Sequence, residues 1–359
     1  MKKILVVLRH DTVFRPGGDT TLLSDIALSL DGFECHVVNG VPKSVLGYEF
    51  ALCANLDRPL EALQLLQICQ ESNVPLHLMA LHYNYDAMTK FFRFGLVGWK
   101  RYVAILANFR PVRYEQLLWS IRVVSSFFSK GSRLKFGNIA RAQAKLIREC
   151  ELLLVVSGDE LKSIEQDIGP VSCKVIELPH LLNDDIAEVA SLAKEKVIFC
   201  PGRIESRKNQ LFILAVAATL PNLDFVFMGR VNSSEKKYYD SFLDRASKLQ
   251  NVSILPPLSV SEFRVYLSKV DVVLTASWFE VTSLIELDVL RNGNKLVCGS
   301  ASYNDSFFSN SLIYLDNDIE SCRDRVLSAV DGEDFFVSGK YPSATEIINR
   351  YVEDIGVEQ

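Results

Sequence analysis

The chain has 359 residues, 48% of them hydrophobic and 23% charged, and a formal net charge of −5. That length and balance suit a globular protein with two cores, and the acidic excess rules out any chain-wide attraction to nucleic acid. The eight cysteines include no C-x-x-C pair, and several sit inside apolar runs. Buried free thiols in a reducing compartment are therefore expected, and no zinc site.

The opening MKKILVVLRHDT has too short an apolar run for a signal peptide and reads as a first core strand. Apolar runs follow at Cys35–Val38, Phe50–Cys53, Leu76–Leu81, Leu152–Val156 and Val175–Leu178, after a first at Ile4–Leu8. The second half continues with Val197–Cys200, Phe225–Met228, Val252–Leu255, Val272–Ala276, Leu296–Cys298 and Leu312–Leu315. These runs lack polar alternation, as strands do in parallel sheets covered on both faces. Helical patterns lie between them, at Thr21–Leu30, Pro59–Gln70 and Gln210–Leu220 among others. Two successive series of this kind predict an α/β protein of two doubly wound domains. The expected division is 1–188, 189–340 and a helical end at 341–359, with the boundary inside 182–196.

Residues 88–150 interrupt the alternation with a long helical pattern. Lysines and arginines between Lys90 and Lys135 are interleaved with Phe91, Phe92, Trp99, Tyr102 and Trp119, and Glu115 is the one acid among them. Bases and aromatics together suit an anionic membrane surface, so a peripheral contact through 88–135 is expected. A helical core with a solvated basic face would give the same composition. No RNA-binding motif accompanies the stretch, so nucleic acid is not an expected partner. No run approaches membrane-spanning length, which points to the cytoplasm, at most peripheral on the inner face of the cytoplasmic membrane.

Three loops carry chemistry. After the first strand, Gly17 and Gly18 let backbone approach a ligand, with Asp19 or Thr20 capping the following helix. After Val197–Cys200, the segment PGRIESRKN crowds Arg203, Arg207 and Lys208 at a strand's carboxyl end. Arg203 and Lys208 suit a diphosphate there, and Arg207 reads as an ordinary exposed base. After Val272–Ala276, the segment SWFEVTSLIELDVLRNG turns into a helix marked by Leu284, Leu287 and Leu290 and ending at Asn292–Gly293. A strand-to-helix switch offers free N–H groups to an anion. Glu280 and Asp288 flank it and suit sugar hydroxyls better than phosphate. Ser283 and Glu286 have capping-box spacing. Asp316–Asp318 reads as a turn.

GRIESRKNQL, MGRVN, NVSILPPLSVSEF, DVVLTASWFE and the spacing of Glu280 to Asp288 resemble retaining glycosyltransferases of family 4 with the GT-B fold. PGGDT, ANLDRPLEAL and ELPHLLNDD resemble a bacterial branch that assembles surface polysaccharide. The resemblance implies two Rossmann-like domains facing a cleft, with a C-terminal helix crossing back to the first. It implies transfer of a sugar from a nucleotide-diphosphate donor to a glycan or lipid-linked glycan, with no metal and no further cofactor. Arg203 and Lys208 would bind the diphosphate, and Glu280 would meet the donor sugar. Asp288 stands where the family has Glu and would grip the ribose. Thr282, Ser283 and Leu284 would offer backbone N–H groups, Gly17 and Gly18 a close approach from the first domain, and His82 an orienting contact to the acceptor. A sugar-nucleotide epimerase of the same fold and a non-catalytic glycosyltransferase partner are the alternatives.

Overall fold

The structure is a computed structural model that describes residues 2–12, 17–127, 136–182, 195–300, 312–332 and 341–356. The first half holds β1 (Lys2–Leu8), α1 (Gly18–Ser29), β2 (Phe33–Asn39), β3 (Phe50–Ala54), α2 (Pro59–Ser72) and β4 (Leu76–Met79). Four helices follow, α3 (Tyr85–Phe94), α4 (Trp99–Leu106), α5 (Pro111–Phe127) and α6 (Ile139–Glu149), then β5 (Leu152–Val155), α7 (Gly158–Asp167) and β6 (Lys174–Glu177). The second half holds β7 (Glu195–Pro201), α8 (Gln210–Thr219), β8 (Asp224–Met228), α9 (Lys236–Ala246), β9 (Val252–Leu255), α10 (Val260–Leu267) and β10 (Val270–Leu274). It closes with α11 (Leu284–Arg291), β11 (Lys295–Gly299), β12 (Leu312–Tyr314), α12 (Ile319–Asp331) and α13 (Ala344–Ile355).

Every apolar run read from the sequence is a strand. The reason is visible in β1, where Ile4 to Leu8 are all buried, so both faces of the strand are covered. The strands form two six-stranded sheets, in the orders β2-β1-β3-β4-β5-β6 and β12-β11-β10-β7-β8-β9, with parallel pairing throughout. In the second sheet the chain leaves β7 through β8 to β9, then returns to β7's other side with β10. Ligands of doubly wound sheets bind outside the carboxyl ends of the two strands at such a reversal, here β7 and β10.

The chain divides into two compact units. The first is Met1–Tyr85 with Leu106–Asp184 and Pro342–Gln359, and the second is Asp86–Ile105 with Asp185–Tyr341. The helical stretch after residue 88 is thus shared: α3 and most of α4 pack with the second unit, α5 and α6 with the first. The expected boundary at 188/189 lies outside the described residues, as do 128–135 of the basic stretch and 13–16 of the first loop. In the first unit Trp119 is fully buried with Leu60, Val123 and Ile139, so the aromatics of α5 serve a helical core there. Helix α13 also belongs to this unit. It starts at a Ser343–Glu346 capping box and buries Tyr351, whose hydroxyl lies 2.8 Å from His77 Nδ1. The Asp316–Asp318 triplet forms the expected turn: Asp318 caps α12 through the Ser321 amide, and Asp316 accepts the Ser300 amide.

Candidate active site

The loop after β7 is shaped by close backbone contact. The Gly202 amide bonds the Met228 carbonyl, and Ile204 bridges to Val231. A Cβ on Gly229 would stand 1.9 Å from the Gly202 carbonyl oxygen, so no side chain fits between the two loops. The chain then tightens into a 3-10 turn at Ser206–Lys208 and enters α8 through Asn209, which is left-handed at φ 55°. Glu235 holds this turn by accepting the Ser206 amide at 2.7 Å. Buried Glu205 accepts from Asn232 and from Arg207.

The loop after β10 is stapled to that turn, because the Trp278 amide donates to the Arg207 carbonyl at 2.9 Å. Glu280 then meets both neighbouring cations. One carboxylate oxygen lies 2.5 Å from Lys208 Nζ, the other 2.6 Å from Arg207 Nη1, and the Glu280 side chain is 9% exposed. Arg207 also donates to the Phe279 carbonyl and lies over the Phe279 ring. Burial alone would raise the Glu280 carboxyl, but Arg207 and Lys208 outweigh it and hold it down at about 2.

Beyond Glu280 the chain enters α11 at Ser283. The capping box expected of Ser283 and Glu286 does not form: the Ser283 side chain makes no cap bond. Glu286 is fully buried and turned inward instead, accepting the Thr275 hydroxyl at 2.6 Å. The N-terminus of α11 therefore carries no side-chain cap of its own. It opens on a pocket lined by Cys200, Lys208, Gln210, Thr275, Ser277, Ser283 and Ile285. The Ser277 hydroxyl is buried there without a partner, as are the hydroxyls of Thr282, five residues on, and of Ser206 in the turn after β7. Donors and acceptors held this way are suited to a polar ligand.

Lys208, Glu280 and Ser283 converge on the loops after β7 and β10. Thr282 and Leu284 flank Ser283. Arg203 leaves the buried end of β7, but its side chain is 56% exposed, 3.8 Å from Glu205. Asp288 is half-buried on α11, where burial raises its carboxyl against the pull of Arg264 and Arg291. Gly17 and Gly18 belong to the first unit, at the start of α1. Asp19 does not cap that helix: it is held by Arg9 and accepts the Thr20 amide.

His82 follows β4, but its side chain is 0% exposed and both ring nitrogens are engaged, with Asp57 at 2.6 Å and Asp167 at 3.1 Å. Burial would lower this imidazole, yet the two carboxylates outweigh it and raise it to about 10. Glu160 completes the cluster by accepting the His82 amide. An imidazolium clamped this way organises the β4 loop and has no ring atom to offer an acceptor.

Arg207 is the residue that sequence reading set aside and the structure places at the centre. Its position next to Lys208 was the available signal, since a tight turn lets adjacent side chains reach one carboxylate. Glu235 and its partner Lys100 carry no such signal, being far apart in sequence.

No family profile matches this sequence, and no curated protein resembles it in sequence. Solved structures do match in fold. Sucrose-phosphate synthase from Thermosynechococcus elongatus aligns over 99% of this chain and 97% of its own, with TM-score 0.66 at 11% identity. HepE of Anabaena, solved with UDP and glucose, aligns over 100% of both chains with TM-score 0.61 at 12% identity. The lipopolysaccharide outer core galactosyltransferase WaaB aligns over 97% of this chain and 95% of its own, with TM-score 0.57 at 12% identity. The fold is GT-B, the one these glycosyltransferases share.

Proposed function

We propose that this protein is a retaining glycosyltransferase that moves a sugar from a nucleotide-diphosphate donor to a glycan or lipid-linked glycan in surface-polysaccharide assembly. The observation that carries the reading is the convergence of Lys208 and Arg207 on Glu280, beside the uncapped start of α11 at the strand reversal. A diphosphate leaving group needs positive charge placed before the reaction begins. Lys208 has three N–H donors and Glu280 takes one, so phosphate oxygens can share the cation. Arg203, at the exposed rim of the same loop, adds a second charge. Helix α11 contributes its dipole and free N–H groups.

In the reaction, the bond between the sugar's anomeric carbon and the diphosphate oxygen breaks, and its electron pair stays with the diphosphate. The acceptor hydroxyl forms the new bond on the same face, and its proton passes to the departing phosphate oxygen. Glu280 faces the sugar hydroxyls and stabilises the cationic character that develops in the ring. The complexes of HepE with UDP and glucose and of the pneumococcal O-GlcNAc transferase GtfA with UDP and GlcNAc support a UDP-type donor. Asp288 reaches the ribose from α11.

An epimerase would need a side chain able to exchange protons with the sugar. His82 is not free for that task, because both ring nitrogens are held by carboxylates.

A panel of nucleotide sugars screened for thermal stabilisation identifies the donor, because a ligand of the folded state raises its melting point. Transfer is then followed with that donor and the product anomer read by NMR. An inverted product, or donor isomerised without acceptor, would overturn the proposal.

A further inference from the structure

Helices α3 and α4 bring residues from the first half of the sequence into the second unit. One side of this helical segment is fixed to the phosphate loops. Phe91 packs against the rings of Trp278 and Phe279. A Cβ on Gly95 would come within 2.5 Å of the Trp278 indole nitrogen, so the indole rests on the Gly95 backbone. Lys100 pairs with Glu235 at 3.2 Å, the same carboxylate that holds Ser206.

The other side is an apolar face left in solvent. Trp99 is 56% exposed and Tyr102 72%, and their three-residue step places them on one stripe of α4. Ile105 lies beside the stripe, and Phe94 at the end of α3 is also exposed. Ala104, buried, marks the opposite side of the helix, and Val103, buried, borders the stripe. Exposed bases accompany this face, at Lys90, Arg93 and Arg101. From residue 86 to 105 there are four bases and one acid, Asp86, in a chain whose overall charge is −5.

We propose that this face of α3 and α4 docks the unit that carries the phosphate loops on an anionic lipid surface. Aromatic rings with a polar edge settle at headgroup depth, and flanking bases meet the lipid phosphates. A single-stranded nucleic acid would satisfy the bases but leave Ile105 in water. A second copy of the chain would bring the same bases against each other. The proposal leans on the glycosyltransferase reading in one respect: a lipid-linked acceptor would be met at the same surface. The docking itself requires no donor, so it is tested without one.

The full chain is sedimented with phosphatidylcholine vesicles, with and without phosphatidylglycerol. Binding is expected only with the anionic lipid, and raising the salt should release it. Arg93→Glu with Arg101→Glu should cut the bound fraction by about tenfold or more. Trp99→Ser with Tyr102→Ser should do so too, with both proteins retaining their circular dichroism spectra. Brominated acyl chains should quench wild-type tryptophan fluorescence, and Trp99→Phe should still bind while losing most of that quenching. Failure of the wild-type protein to bind anionic vesicles at low salt would overturn the proposal. So would equal binding to neutral vesicles, or variants that bind as well as wild type. A dimer in sedimentation velocity that Trp99→Ser with Tyr102→Ser dissociates would assign the face to a second copy instead. Loss of glycosyl transfer with vesicle binding intact would count against the functional reading alone.

Discussion

Glu280 holds Lys208 Nζ at 2.5 Å with one oxygen and Arg207 Nη1 at 2.6 Å with the other. This carboxylate joins the loops after β7 and β10, beside the Trp278 amide on the Arg207 carbonyl. Lys208→Ala removes the cation that lines the pocket while leaving Glu280 its Arg207 partner. Turnover is expected to fall about 100- to 1000-fold, the scale of a lost electrostatic contact to a leaving group. Steady-state kinetics with the donor found by screening checks this, and a variant with unchanged kcat would remove Lys208 from the chemistry.

Glu280→Ala leaves two neighbouring cations without their shared anion. Breaking a buried pair in this way costs about 3–5 kcal/mol. A clear drop in melting temperature is expected, partly recovered when Lys208→Met is added, because the two sites are coupled. The pairing also has a pH signature. The folded carboxyl lies at about 2, below the ordinary glutamate value. Its contribution is therefore complete above the ordinary value and fades as pH falls toward the folded one. Acid titration of the melting temperature should show wild type losing its advantage over Glu280→Gln in that window.

Arg207 donates to Glu205, to Glu280 and to the Phe279 carbonyl while lying over the Phe279 ring. An ammonium cannot reproduce that planar set of contacts. Arg207→Lys should therefore behave more like Arg207→Ala than like wild type in donor affinity, which calorimetry measures directly. Full recovery by lysine would mean that only the charge matters.

Gly229→Ala tests the backbone contact under the phosphate loop. The added methyl would meet the Gly202 carbonyl at 1.9 Å, a contact that only backbone movement can relieve. Destabilisation of at least about 1–3 kcal/mol is expected, as for other overpacked sites. Gly18→Ala, whose Cβ would meet nothing within 4 Å, is the control and should melt as wild type does. Equal melting of the two variants would count against the contact.

The His82 clamp predicts an alkaline limit for the first unit. The folded imidazolium is raised to about 10 by Asp57 and Asp167, against an ordinary value of about 6.5. Its stabilisation is complete below the ordinary value and is lost as pH rises through the folded one. Glu160, which burial raises to about 7, shares the cluster and gains charge partway through the same range. The melting difference between wild type and His82→Asn should shrink steadily from neutral pH upward. A difference that is flat with pH would mean that the ring is neutral and only packs.

The sequence by itself determined the sheets, because a strand covered on both faces must be apolar along its whole length. Runs such as Ile4–Leu8 and Val272–Ala276 therefore announce themselves. It also determined that bases crowd the loop after β7 and that an acid follows β10. Only the tertiary structure decided which of these meet. Lys208 and Glu280 lie 72 residues apart and become neighbours because β7 and β10 are adjacent in the sheet. The same packing turned Glu286 inward to Thr275, although its spacing from Ser283 is that of a cap. It closed both nitrogens of His82 on carboxylates from two other segments, where an orienting contact to the acceptor was expected. It also carried α3 and most of α4 into the second unit. Local spacing records the period of a helix or strand, whereas the partner of a side chain depends on which elements the fold brings alongside it.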